Sequence, residues 1–224
     1  MIVSLIVTVF LPVIMLLYSL KVKKTKVFLW GSLTFIVSQP LLRIPLITFL
    51  SSNFLSVNQF QVQYPIAYVL LIALSAGLFE EVGRYLVMTF VLKKNRSWND
   101  GVIFGLGHGG VEAFLLVGLP IMMTLFSDAS MGVSNSDFLL GAVERVFAII
   151  LHVGLSVLVM KTVKSNKKRY VIFAIFIHTV IDSMVGIIPM FVSNGVIMIE
   201  VTLAIVSLLL FLYAIFLRKG WELS

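Results

Sequence analysis

The sequence predicts an all-α integral membrane protein, a polytopic bundle of about seven transmembrane helices. Hydrophobic residues make up 60% of the 224 residues and charged residues only 12%, whereas soluble domains carry about 25% charged residues. Apolar runs long enough to span a bilayer, about 17–25 residues each, follow one another along the chain. They cover residues 1–20, 27–50, 64–92, 101–126, 138–160, 171–190 and 195–217. We therefore expect a single integral membrane domain over residues 1–224.

The first three runs each carry a feature that bears on their interpretation. Run one resembles a signal peptide, but its positive charges, in KVKKTK, follow the apolar stretch. Those of a signal peptide precede it, so we interpret run one as a retained first helix. Pro40 and Pro45 are expected to kink run two. Run three is long enough to be tilted or to begin in the membrane interface.

Lysine and arginine mark one side of the predicted bundle. They fill the connections after runs one, three and five and the C-terminal tail, whereas connections 51–63, 127–137 and 191–194 contain neither. Cytoplasmic loops carry such an excess of Lys and Arg, so we expect the N-terminus outside and the C-terminus in the cytoplasm. Because these charges set topology, the net charge of +7 does not indicate a nucleic-acid partner.

Ionisable side chains lie inside runs three to six, where each costs at least about 2.5–3.5 kcal/mol to insert. All three histidines of the chain belong to this set. Its members are Glu80, Glu81, Arg84, His108, Glu112, Glu144, Arg145, His152, His178 and Asp182. At a rise of about 1.5 Å per residue, histidines and acids are predicted at matching depths. We therefore expect one polar site near the inner leaflet.

Spacings of three and four residues place several of these side chains on common helix faces. The groups are Glu80 with Glu81 and Arg84, His108 with Glu112, and His178 with Asp182. Gly101 and Gly105 fall on the His108 side of run four, where small residues let a neighbouring helix approach closely. Glu144 and Arg145 are expected to be structural.

The residue types indicate hydrolysis by an activated water. Two adjacent carboxylates in a low-dielectric site cannot easily both ionise, so one can pair with Arg84 while the other acts as a general base. Histidines can stabilise an oxyanion, or three of them with one open position can form a catalytic Zn²⁺ site. The candidate metal ligands are His108, His152 and His178. The sequence leaves the metal-dependent and the metal-free mechanism open.

Two functions of other classes also fit these residues. Buried acids, histidines and an arginine form proton relays, which makes a proton-coupled membrane transporter the second hypothesis. Against it, no inverted repeat and no pair of broken helices is visible. A non-catalytic membrane scaffold is the third hypothesis, because Glu80 or Glu81 with Arg84 can form an ion pair that only joins helices.

Four short motifs occur in order along runs three to six. They are EE before a basic residue (Glu80, Glu81, Arg84), F-x-x-x-H extended to HGGVE (Phe104, His108, Glu112), E-R before a histidine (Glu144, Arg145, His152), and H-x-x-x-D (His178, Asp182). Together they resemble the YhfC family of intramembrane peptidases, which is related to the PrsW proteases and to the CAAX protease and bacteriocin-processing family. The EExxR spacing is that of PrsW, whereas the CAAX branch has EExxxR, which argues against prenyl-protein specificity.

The resemblance implies an intramembrane peptidase that hydrolyses a peptide bond at a site open to the cytoplasmic leaflet, with its motif helices within 64–190. It implies a peptide or membrane-protein substrate, a multi-pass location in the bacterial plasma membrane and, in a metal-dependent mechanism, Zn²⁺ as the cofactor. The implied catalytic residues are Glu80, Glu81, His108 and His178, and the implied supporting residues are Arg84, Glu112, His152 and Asp182.

Overall fold

The architecture is a helical bundle, seen in a computed structural model that describes residues 1–125, 135–193 and 195–221. Within those ranges no β-strand occurs. In the same ranges seven helices are long and apolar enough to cross a membrane, which confirms the predicted fold class and agrees with the predicted number of spans. They are α1 (Ile2–Lys21), α2 (Thr25–Asn53), α4 (Pro65–Val91), α5 (Trp98–Leu125), α6 (Asp137–Ser165), α7 (Arg169–Met190) and α8 (Gly195–Lys219). A short helix, α3 (Leu55–Gln63), lies between α2 and α4.

Two expectations about the whole chain stay predictions. They are the orientation of the termini across the membrane and the organisation of residues 1–224 as a single domain. The predicted connection 127–137 lies mostly outside the described residues.

The segments rich in Lys and Arg meet at one end of the bundle, which we call the basic end: residues 22–24, 92–97, 166–168 and 218–221. Lys24 Nζ lies 2.5 Å from Asp100 Oδ1 at the start of α5. The Trp221 indole donates a hydrogen bond to the Arg96 carbonyl, 3.0 Å away. The other end, which we call the opposite end, holds the N-terminus, α3 and the start of α6. Ser4 there donates to the Phe138 carbonyl at 2.6 Å.

Helix α2 widens into a π-helical turn over Val37–Arg43, and Pro40 lies inside it. Proline lacks the N–H of a regular helix and its ring clashes with the preceding turn, so a wider turn accommodates it. The structure thus has an irregular turn where run two was predicted to kink. The turn carries Gln39, whose side chain is buried and contacts α4.

Helix α5 packs between α2 and α6 through glycines. A Cβ atom added at Gly107 would lie 2.1 Å from the Phe28 carbonyl oxygen of α2. One added at Gly105 would lie 2.5 Å from Val153 Cα of α6. Because neither backbone leaves room for a methyl group, the glycines bring three helices into direct contact, as small residues do in membrane bundles.

Gly107→Ala is expected to destabilise the protein, because the new methyl group would meet the Phe28 backbone and not a movable side chain. Overpacking of this kind costs about 1–3 kcal/mol. Thermal melting in detergent measures the effect. Gly141→Ala is the matched control, since a Cβ there meets no atom within 4 Å from the other helices that the structure describes. Equal melting temperatures for the two variants would contradict the packing of α5 on α2.

Candidate active site

One face of α4 carries a buried arginine between two buried glutamates. Glu80, Glu81 and Arg84 are 3%, 0% and 0% exposed. The guanidinium donates from Nη1 to Glu81 Oε1 at 2.6 Å and from Nη2 to Glu80 Oε2 at 3.2 Å. Removing charges from water inside a membrane is costly unless they are paired, so this contact lets two carboxylates lie side by side.

Each glutamate has its own histidine partner on another helix. His108 on α5 places Nε2 2.8 Å from Glu80 Oε2, and His178 on α7 places Nδ1 2.8 Å from Glu81 Oε1. The structure therefore brings together the four residues that the family resemblance implied as catalytic. Their roles stay predictions.

His152 on α6 connects the glutamate pair to Glu112 of α5. Its Nδ1 lies 2.7 Å from Arg84 Nη2, and its Nε2 contacts Glu112 Oε2. A guanidinium only donates hydrogen bonds, so Nδ1 accepts and the proton of the neutral ring lies on Nε2. The ring centroid of His152 is 5.0 Å from that of His108 and 5.7 Å from that of His178. The three histidines thus form one continuous cluster.

Arg145, expected to be structural, reaches the site directly. It donates from Nη1 to Glu112 Oε1 at 3.0 Å and also binds Glu144. Glu112 is therefore held between Arg145 and His152, both on α6. Asp182 is the least enclosed member of the predicted set, because its side chain is 37% exposed and its Oδ2 lies 3.6 Å from His178 Nε2.

Sequence reasoning missed Gln39 and Arg43 on α2. Gln39 Nε2 donates to Glu80 Oε1 at 2.6 Å, and Arg43 Nη1 donates to Gln39 Oε1 at 2.8 Å. Arg43 is itself held by Ser75 Oγ of α4, 2.9 Å from its Nε. The available signal was the i,i+4 spacing of an amide and an arginine inside an apolar run, which indicates a polar face on α2.

A cavity of about 470 Å³ adjoins the cluster. Two of the three histidines, His152 and His178, line it. The acidic residues that line it are Glu80, Glu112, Glu144 and Asp182. Glu81 is not among the lining residues, although it is adjacent to Glu80 in sequence. A substrate in this cavity would therefore contact one glutamate of the pair and not the other.

The cluster contains two groups of side chains that could hold a metal ion, and Glu80 belongs to both. In each group the donor atoms lie within 4.8 Å of one another. One group is Glu80, His108, Glu112 and His152, and the other is Glu80, Glu81 and His178. The three predicted histidine ligands are thus divided between two groups, with His178 apart from the other two.

The donor chemistry fits a metal such as Zn²⁺, which binds imidazole nitrogens and carboxylate oxygens. Buried atoms of the site without a hydrogen-bond partner within the described residues include two potential metal donors, His108 Nδ1 and Glu81 Oε2. A nitrogen that binds a metal must be deprotonated. If His152 bound a metal through Nε2, the ring proton would lie on Nδ1, which could then no longer accept the hydrogen bond from Arg84.

Comparison with known proteins identifies the family of the chain. The family model described as YhfC intramembrane metalloprotease matches residues 7–131 and 121–207. The chain is 31% identical over 186 residues, 70% of each chain, to the "Uncharacterized membrane protein YhfC" of Bacillus subtilis (strain 168). No solved structure matches the chain significantly. The family resemblance carried by the four motifs is confirmed, and this protein, a membrane protein with seven apolar helices, belongs to the YhfC intramembrane metalloprotease family.

Proposed function

We propose that this protein is a metal-dependent peptidase of the plasma membrane that hydrolyses a peptide bond of a membrane-associated substrate inside the helical bundle. The observation that carries the proposal is a pair of buried glutamates, each hydrogen-bonded to a histidine of another helix, beside a cavity of about 470 Å³. Titratable groups arranged in this way beside a cavity are typical of an active site.

His108, His152 and Glu112 are the residues that we expect to hold the metal. A catalytic zinc usually has three protein ligands and one open position, and the fourth member of this group, Glu80, then stays free for chemistry. A bound metal would polarise the scissile carbonyl and make its water more acidic.

Glu80 is the residue that we expect to act as the general base. It lines the cavity, whereas Glu81 does not, so Glu80 is the carboxylate that can meet a water beside the substrate. Gln39 and His108 both lie within hydrogen-bond distance of Glu80 and orient its carboxylate. A fixed orientation matters because a general base must lie within about 2.6–3.2 Å of the proton it removes.

Glu81 and His178 are expected to act on the other side of the reacting centre. Glu81 binds Arg84 and His178 at once, which fixes the position of both donors. His178 also lines the cavity, so its second nitrogen is available to a substrate. Because Nδ1 donates to Glu81, Nε2 is a donor only in the imidazolium form, and in that form His178 suits stabilisation of the oxyanion that develops during hydrolysis.

Metal analysis of the purified, detergent-solubilised protein tests the proposal. We expect about one zinc per chain in the wild type and none in His108→Ala. The matched control is His178→Ala, which removes the same side chain from the other group and is expected to keep the metal. Loss of metal from His178→Ala with retention in His108→Ala would contradict the assignment of ligands.

Cleavage of membrane peptides is the second test of the proposed function. The metal-loaded protein, incubated with a library of single-span membrane peptides in micelles, is expected to release fragments that mass spectrometry identifies. A chelator should abolish the release and zinc should restore it. If a zinc-loaded protein cleaved no member of the library but carried protons across proteoliposomes, the transporter hypothesis would replace this one.

A further inference from the structure

The cavity lies on one side of the histidine cluster, towards the opposite end of the bundle. Helices α2, α5 and α7 run from the basic end to the opposite end, and α4, α6 and α8 run back. Along each helix, cavity-lining residues lie between the cluster and the opposite end. Examples are Ile44 on α2, Ile72 on α4, Leu116 on α5, Glu144 on α6, Val185 on α7 and Leu203 on α8.

On each helix that carries a histidine, the residue one helical turn from it towards the opposite end borders this cavity. These residues are Glu112 after His108, Ala148 before His152, and Asp182 after His178. Residues four apart on a helix share a face, so the same faces that carry the histidines continue into the cavity.

On the same helix faces, the residues one turn from the histidines towards the basic end are completely buried. The corresponding residues are Phe104 before His108, Ser156 after His152, and Ala174 before His178, and all three are 0% exposed. Met88, one turn from Arg84 on α4, is also 0% exposed. These four residues therefore form a buried layer between the histidines and the basic end, and interiors packed this way leave few voids larger than a water molecule.

We infer that the substrate reaches the active site from the opposite end of the bundle, so that the site serves peptide segments presented at the outer face of the membrane. That a peptide substrate enters the cavity rests on the proposed function. That the opposite end faces outward rests on the location of Lys and Arg at the basic end, because basic loops remain in the cytoplasm. The inference differs from the expectation of an opening to the cytoplasmic leaflet. That expectation came from the depth of the polar residues and from the family resemblance, and neither shows on which side of the histidines space is left.

Thiol labelling tests the inference, because the chain contains no cysteine. Ala148→Cys and Ser156→Cys are a matched pair on α6, each one turn from His152 on either side. Val62→Cys in exposed α3 reports the opposite end, and Lys94→Cys reports the basic end. A charged, membrane-impermeant methanethiosulfonate reagent is applied to intact cells and, separately, to inverted vesicles. Denatured samples give the total reactive thiol.

We expect Ala148→Cys to be labelled from the side that labels Val62→Cys and not from the side that labels Lys94→Cys. Ser156→Cys should stay unlabelled from both sides and react only after denaturation. Labelling of Ala148→Cys from the Lys94 side alone, or from neither side, would overturn the inference. The measurement needs neither substrate nor metal, so it can fail while the zinc and cleavage results stand, and the reverse also holds.

Discussion

Glu80→Gln is expected to lower the rate of peptide cleavage by about 10²–10⁴-fold, the usual contribution of a general base. Glutamine preserves the size of the side chain and can still meet Gln39 and His108, but its amide cannot remove a proton from water. Zinc content should stay near that of the wild type, because His108, His152 and Glu112 remain. Single-turnover cleavage of a membrane peptide, with metal analysis of the same sample, measures both quantities.

Glu200→Gln is the matched control for this substitution. Glu200 is also a glutamate within a membrane-spanning helix, α8, and among the described residues no hydrogen bond joins it to the glutamate pair or to the histidines. Its variant should keep the wild-type rate. The assignment of the base would be wrong if Glu80→Gln cleaved at the wild-type rate while Glu81→Gln did not cleave.

Arg84→Met is expected to lower the free energy of unfolding by about 3–5 kcal/mol, the usual cost of leaving a buried charge without its partner. The guanidinium is completely buried and binds both glutamates and His152. Methionine fills much of the space but supplies no charge, so the adjacent carboxylates of Glu80 and Glu81 would repel each other. Unfolding by denaturant in mixed micelles measures the change.

Two further variants separate loss of charge from loss of packing. Lys24→Met removes the lysine of a partly exposed ion pair with Asp100, and exposed pairs contribute only about 0–1 kcal/mol. The double variant Arg84→Met, Glu81→Gln should recover part of the lost stability, because one of the two carboxylates is neutral. If the double variant were no more stable than Arg84→Met, packing and not charge would explain the loss.

The fold class could be predicted from the sequence because the bilayer imposes strong local constraints. Backbone groups in lipid must be satisfied within one segment, so an apolar run such as 27–50 has to form a helix, and the structure has α2 at Thr25–Asn53. The same constraint predicted which residues form the polar site, since an ionisable side chain inside an apolar run costs free energy to insert into the bilayer. Gln39 was missed because an uncharged amide disturbs hydropathy too little to be noticed.

Contacts within one helix could also be predicted, and contacts between helices could not. The grouping of Glu80, Glu81 and Arg84 follows from a spacing of three and four residues, which is a property of any α-helix. The pairing of Glu81 with His178 joins residues 97 positions apart. It depends on how α4 and α7 are rotated against each other, and one sequence contains no measure of that rotation.

Composition and residue spacing were sufficient to predict a bundle of membrane helices with a polar site of paired glutamates, histidines and their acidic neighbours. The three-dimensional arrangement of the helices was needed to learn which glutamate lines the cavity, how the histidines divide between the two candidate metal groups, and towards which end the cavity extends. The reason is that composition and spacing act along the chain, over one or two helical turns. Cavities and partners are decided by packing between helices, where a glycine such as Gly105 or Gly107 sets the distance between two backbones.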